Sequence, residues 1–362
     1  MKMEEVIALV LAAGKGTRMK SKLPKVLHKA GGVPMVGQVL RAVKDAGTKR
    51  EIVVVGFGAE AVTAYVGETA ETVVQKEQFG TGHAVLQAES LLQGEKGILL
   101  VTCGDTPLVR TETFRALLDC HKKTQASATV LTACMPDPTG YGRVIRSADG
   151  KVSKIVEQKD GTSQELAVNE VNAGIYCFEL PELWELLHRI GNNNAQGEYY
   201  LTDIIGMLVA DGKTVSAVAA EDYRETLGVN SRLQLAQAEK ILRERKLEEL
   251  MTEGVTVQDP SNTYVETTVT VGRDTVLYAG TVLEGRTVIG ENCEIGPFVR
   301  LTNVVMGDGN SLQYTYAHDC TIENNLTAGP FVHFRPKTHI EDHVKVGNFM
   351  EDRKSTRLNS SH

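Results

Sequence analysis

The chain has 362 residues, 42% of them hydrophobic and 23% charged, with a formal net charge of −7. That length exceeds one typical core and points to about two domains, and the acidic balance of an otherwise ordinary globular composition excludes a general nucleic-acid binder. No apolar run reaches the length of a membrane span or forms a cleavable leader, and six scattered cysteines without a CxxC pair exclude a disulfide framework or zinc site and indicate a cytoplasmic protein.

The first predicted element is a buried parallel strand over Val6–Leu11. It feeds into Ala12-Ala13-Gly14-Lys15-Gly16-Thr17-Arg18-Met19, followed closely by Lys20, Lys22 and Lys25. Glycines let several N–H groups approach one anion, so strand, turn and clustered cations together suit a triphosphate. A dinucleotide fingerprint would need Gly where Met19 stands, and a Walker loop would need Ser or Thr where Gly16 stands. A plain surface turn with scattered lysines is the simpler alternative.

Further strands are predicted at Glu51–Val55, Gly97–Thr102, Ala128–Ala133 and Gly174–Phe178, with amphipathic helices at Pro34–Ala46 and Gly82–Leu92. This alternation gives an α/β fold with a mostly parallel sheet covered on both faces. Ligands bind such sheets outside the carboxyl ends of strands, where Gly14-Lys15-Gly16 and Cys103-Gly104-Asp105 both fall. Asp105 suits Mg²⁺, which takes oxygen donors and bridges phosphates; alternatively it caps the turn at Thr106-Pro107. Gln78-Phe79-Gly80-Thr81-Gly82-His83-Ala84 is a second glycine loop, suited to a base or sugar edge or simply N-capped by Thr81.

Val229–Glu253 reads as one long polar helix stopped by Gly254, a spacer or interface helix rather than a core element. Aliphatic residues then recur every six positions at Val265, Val271, Leu277, Leu283, Ile289, Ile295 and Leu301, and again from Ile322 through Ala328, Phe334, Ile340 and Val346. A six-residue repeat predicts a parallel β-helix with three hexads to the coil. The 21-residue step from Leu301 to Ile322 predicts an insertion interrupting it.

Together these motifs resemble the bifunctional bacterial N-acetylglucosamine-1-phosphate uridylyltransferase / glucosamine-1-phosphate N-acetyltransferase family. The resemblance is carried by Leu11–Met19 with Lys25, Gln75, Gly80-Thr81-Gly82-His83, Cys103-Gly104-Asp105, Gly140-Tyr141-Gly142-Arg143, Val156–Asp160, Asn172-Ala173-Gly174-Ile175 and Gly228-Val229-Asn230, in family order. It implies a Rossmann-like nucleotidyltransferase domain over 1–228, a linker helix over 229–253, a left-handed parallel β-helix of hexapeptide repeats over 254–350 and a non-family tail over 351–362. By resemblance, Leu11, Ala12, Ala13, Gly14, Gln75, Gly80, Thr81, Cys103, Gly104 and Asp105 bind the uridine nucleotide. Gly142, Glu157, Asn172 and Asn230 surround the sugar phosphate. Asp105 and Asn230 hold Mg²⁺, and Arg18 and Lys25 neutralise the triphosphate. Cys103 stands where the family often has Tyr.

The implied reaction joins UTP and N-acetylglucosamine 1-phosphate into UDP-N-acetylglucosamine and pyrophosphate, serving cell-wall and lipopolysaccharide synthesis. It needs alignment and charge neutralisation rather than a strong base. Arg335 matches a substrate-binding Arg of the acetyltransferase site. The hexad register stops after Met350, leaving Arg353 as the nearest stand-in for a Lys and His362 in an unrelated context. The expectation is therefore a chain shortened at its C-terminus, without a competent acetyltransferase site. Rival readings are a related sugar-1-phosphate nucleotidyltransferase with another NTP or sugar, and a non-catalytic sugar-nucleotide-binding subunit. The open edges of a β-helix suggest assembly as a homotrimer.

Overall fold

The structure, a computed structural model, describes residues 5–349 and the backbone of 357–358. Nine strands form the first sheet: β1 Val6–Ala12, β2 Arg50–Val55, β3 Glu71–Val74, β4 Ile98–Cys103, β5 Ala128–Cys134, β6 Arg143–Arg146, β7 Val152–Val156, β8 Glu170–Glu179 and β9 Val215–Ala219. Their order is β9-β5-β8-β4-β1-β2-β3, with β6 and β7 attached beside β8. Alternate β1 residues enter two separate cores, Ile7 and Leu9 in one and Val6, Ala8 and Val10 in the other. Helices thus cover both faces, which explains why β1 reads as a continuous apolar run.

The mostly parallel expectation holds for β1–β4 and for β5 with β9, while the pairings of β8 and that of β6 with β7 are antiparallel. Strand β8 runs antiparallel to both β4 and β5. Its register slips between Asn172 and Tyr176, around Gly174 at φ +72°, so a bulge bends the strand beside the ends of its neighbours. The helix expected over 82–92 is two short helices, Thr81–Leu86 and Glu89–Leu92. The helix expected over 34–46 spans Met35–Asp45.

The chain divides into two compact units between Ala238 and Glu239, with Lys29–Val33 belonging to the second. That boundary falls inside the helix Arg232–Thr252. The latter part of this helix is more than a spacer. Leu247 and Leu250, with Val255 beyond it, are buried in the same core as Val265 and Leu283, so the helix covers the first coil of the repeat. Glu239 Oε2 accepts the Gly31 N–H at 2.6 Å, and the Arg243 guanidinium lies 4.4 Å from the Tyr264 ring centroid.

The hexads build three parallel sheets of six, five and six short strands, the arrangement of a left-handed β-helix. Every predicted anchor from Val265 to Val346 is buried. Thr275, Thr281 and Thr287, four residues after their anchors, are also buried, and their hydroxyls donate to backbone carbonyls. Buried Asn310 does the same work further on, donating to Gly307 O and Glu323 O and accepting from Leu326 N. Interior polar groups are therefore paired, as burial requires.

The expected insertion after Leu301 is absent. Met306, Leu312, Ala317 and Ile322 pair with Ile289, Ile295, Leu301 and Met306 respectively, so the repeat continues through this stretch. Three of its four steps are one residue short, which produces the 21-residue spacing.

Candidate active site

Strand β1 is where sheet growth reverses: β2 and β3 extend it on one side and β4 on the other. Such a switch point leaves a crevice at the carboxyl ends. Leu11 pairs with Cys103, and Gly104 N donates to Leu11 O at 2.9 Å. Leu11, Ala12, Ala13 and Gly14 therefore run beside Cys103, Gly104 and Asp105. Gly14 is exposed, with no atom within 4 Å of where a Cβ would stand. Buried Met19 anchors the short turn Thr17–Met19, which leaves Arg18 exposed and without a side-chain partner among the described residues.

Lys25 lies at the centre of the crevice. Its ammonium forms a close ion pair with Asp105 Oδ2 and donates to Asn230 Oδ1 at 3.0 Å. Asp105 O accepts the Val229 N–H at 2.8 Å, which holds the Gly228–Asn230 segment against this edge. The Asp105 carboxylate does not cap the following turn; there the Thr106 hydroxyl donates to Cys103 O at 2.8 Å. Two oxygens from distant segments thus converge on one cation, and hard oxygen donors fit a divalent metal. No group of three or more His, Cys, Asp or Glu side chains converges among the described residues, so a metal held here would complete its shell with substrate oxygens or water. Burial, with the Asp105 charge adding, pushes the Cys103 thiol up to about 12; it stays neutral beside that carboxylate.

The second glycine loop is built against residues 199–201. Gly80 has φ +114°, and a Cβ there would fall 2.6 Å from Tyr199 O. Gly82 N donates to Tyr199 O, and Tyr199 N to Phe79 O, each at 2.8 Å. Thr81 is the first residue of its helix rather than the cap, and its hydroxyl accepts Leu201 N–H at 3.1 Å. The Gln75 amide, buried, lies 3.3 Å from Gly80 O.

A third group surrounds the β8 bulge. Gly142 O accepts the Asn172 N–H at 2.9 Å. The Asn172 side chain donates to the Tyr176 hydroxyl at 2.7 Å and accepts Gly174 N–H at 3.1 Å. Glu157 accepts the Thr202 hydroxyl at 3.0 Å and lines a cavity of about 320 Å³ with Asp160, Asn194, Tyr200 and Asp203. Burial raises the Glu157 carboxyl above its ordinary value, and the Asp203 and Asp160 charges add to the rise, against the Thr202 bond.

Direct bonds join Lys25, Asp105 and Asn230, join Gln75 to Gly80, and join Gly142 to Asn172. Arg335 belongs to the second unit, exposed just after the strand Val332–Phe334. Sequence reasoning missed Thr202 and Tyr176. Tyr176 shares a two-residue alternation with Asn172, a signal that could have found it; Thr202 carries no such signal.

A MobA-like NTP transferase domain matches residues 8–153, and a six-repeat bacterial transferase hexapeptide matches residues 268–303. Over 349 residues the chain is 52% identical to the bifunctional protein GlmU of Geobacillus sp. (strain WCH70), covering 96% of this chain and 76% of that one. The GlmU protein of Halalkalibacterium halodurans is 48% identical over 354 residues, covering 98% and 78%. A crystal structure of UDP-glucose pyrophosphorylase complexed with UDP-glucose covers 67% of this chain and 100% of its own, with a TM-score of 0.54 at 17% identity, a likeness of fold alone. The hexapeptide unit is present and its strand pairing continues through Val346, which tells against reading the second activity as lost. The tail over 351–362 has no described side chains, and Arg353 and His362 lie outside the described residues. Among the described residues no helix is long and apolar enough to cross a membrane. The chain belongs to the family of bifunctional GlmU proteins and is a nucleotidyltransferase.

Proposed function

We propose that the chain transfers a uridylyl group from UTP to N-acetylglucosamine 1-phosphate, giving UDP-N-acetylglucosamine and pyrophosphate. The observation that carries this reading is the convergence of Asp105 and Asn230 on the Lys25 ammonium at the carboxyl ends of β1 and β4. The Leu11–Gly14 backbone and the Cys103–Asp105 segment line the nucleotide, with Gln75, Gly80 and Thr81 at its base. Gly142, Glu157 and Asn172 meet the sugar. Lys25 and Arg18 balance the triphosphate charge. Mg²⁺, held by Asp105 and Asn230, supplies further neutralisation of phosphate charge when bound.

The acceptor phosphate is already anionic. One of its oxygens forms the new bond to the α-phosphorus while the α–β bridging bond breaks, and pyrophosphate leaves with that electron pair. No proton has to be removed, so the protein's contribution is alignment in the crevice and charge balance. A half-buried Glu157 held by Thr202 suits a sugar hydroxyl better than a phosphate. We further propose a cytoplasmic homotrimer, in keeping with six free cysteines and the β-helix.

The test is pyrophosphate release from UTP, CTP, GTP and ATP with N-acetylglucosamine 1-phosphate, with and without chelator. UTP with Mg²⁺ should support turnover, chelation should abolish it, and Mg²⁺ should restore it. Asp105→Asn should lower kcat by about 10²–10³-fold with the fold retained, as for loss of one charge-stabilising group. Turnover of UTP by Asp105→Asn at the wild-type rate, or none by the wild type, overturns the reading.

A further inference from the structure

The buried Gln75 amide nitrogen lies 3.3 Å from Gly80 O and 3.0 Å from His83 Nδ1. A backbone carbonyl only accepts, so the atom facing Gly80 is the NH₂ group. Its second hydrogen then points at His83 Nδ1, which must carry the ring's lone pair. Among the described residues both partners of the amide sit on its nitrogen, which leaves Oε1 to accept from a ligand.

The imidazole is held in turn by its neighbours. The Phe79 ring centroid lies 5.3 Å away. Gln87 Nε2 donates to His83 O at 2.9 Å and lies 3.2 Å from His83 Nε2. That carbonyl fixes the Gln87 atom as nitrogen by the same reasoning. A neutral imidazole has one lone pair and accepts from one amide only. Gln75 has the shorter contact, and Gly80 O holds its nitrogen in place, so the lone pair belongs on Nδ1 and Gln87 is the competing donor.

We infer that His83 is a positioning residue that sets base selectivity, by holding the Gln75 amide with its carbonyl oxygen toward the nucleotide base. This rests on the proposed reading that Gln75 meets the base. An oxygen in that place accepts the N3–H of uracil and opposes the N3 lone pair of cytosine. An overturned amide presents N–H donors and reverses that preference.

The experiment compares kcat/KM for UTP and CTP in the full chain and in His83→Phe, His83→Asn and Gln87→Leu. Phe keeps a ring against Phe79 without an acceptor, whereas the Asn carbonyl can stand where Nδ1 stood. His83→Phe should lose about tenfold or more of the UTP:CTP ratio, as for a buried polar group left unpaired. That loss should lie in KM for UTP, with kcat within about threefold. His83→Asn should keep the ratio within about threefold of wild type, and Gln87→Leu, which removes the competing donor, should leave it at or above the wild-type value. An unchanged ratio in folded His83→Phe, an equal loss in Phe and Asn, or a lowered ratio in Gln87→Leu overturns the inference. If His83→Phe does not fold, His83→Asn and Gln87→Leu still decide. A wild type indifferent to UTP and CTP overturns the base-contact reading itself, before any variant is compared.

Discussion

Gly16 has φ +58°, and a Cβ there would fall 2.6 Å from the Lys25 Cβ. The turn after β1 therefore closes over the stem of the residue whose ammonium joins Asp105 to Asn230. An L side chain in this left-handed conformation costs about 1–2 kcal/mol, and the contact obliges Lys25 to move as well. Gly16→Ala should raise KM for the nucleotide about tenfold, the equivalent of about 1.4 kcal/mol. Steady-state kinetics at saturating sugar phosphate checks this, and an unchanged KM would show that the turn does not shape the phosphate site. Gly14 makes a useful contrast, since a Cβ there meets nothing. Residue types made Lys25 and Asp105 legible from the chain alone, because an apolar strand ending in glycine and charge has few other uses. The family resemblance contributed Asn230. Thr202 was not legible, because its bond to Glu157 spans 45 positions without local pattern.

Among the elements, β8 is the one that shapes the site while departing from its neighbours. Its first residue, Glu170, meets Arg146 at the end of β6 through two bonds of 2.7 Å. The Arg146 bond holds the Glu170 carboxyl below its ordinary value of 4.5. The folded chain thus favours the ionised form. The pair stabilises above that ordinary value, and the gain is lost as pH falls through the lower folded value. Arg146 is 39% exposed, so solvent screening keeps the contribution to about 1 kcal/mol or less. Glu170→Gln should lower Tm by about 2–4 °C near neutral pH and by nothing once the Glu170 carboxyl is protonated in the folded and the unfolded chain alike. Thermal melts of the two proteins across pH check this; a deficit that persists in acid would assign the effect to packing instead. The antiparallel sense of β8 was not readable, since burial on both faces gives one apolar pattern in either direction. The hexads were readable because anchors repeat in sequence. The shortened coil was not, because counting in sixes turns three one-residue deletions into an apparent insertion.

At the scale of the molecule, each unit has its own core, and the second presents an unusual surface. Phe298, Tyr314, Phe331 and Phe349 form a column with ring centroids 5.3–5.4 Å apart. All four have positive φ and are exposed, Phe298 by 62% and Phe331 by 54%. Asn or Gly suits that backbone conformation better, and Asn292, Asn303 and Asn325 take it elsewhere in the coils. Stacking returns about 0.5–1.5 kcal/mol per pair, which offsets the backbone cost without explaining the exposure. A neighbouring chain covering the column would explain it, and a trimer is the assembly proposed above. The two effects separate in Phe331→Asn. Loss of two ring contacts and relief of the left-handed strain nearly cancel, so the melting of the dilute chain should shift by only about 2–4 °C, equivalent to about 1 kcal/mol. Association should weaken by about tenfold or more, as for loss of a buried aromatic anchor. Sedimentation velocity over a concentration series reads both the state of the wild type and the shift. A wild-type monomer at every concentration removes the trimer, and a wild-type trimer that Phe331→Asn leaves undisturbed moves its interface to another face of the coil.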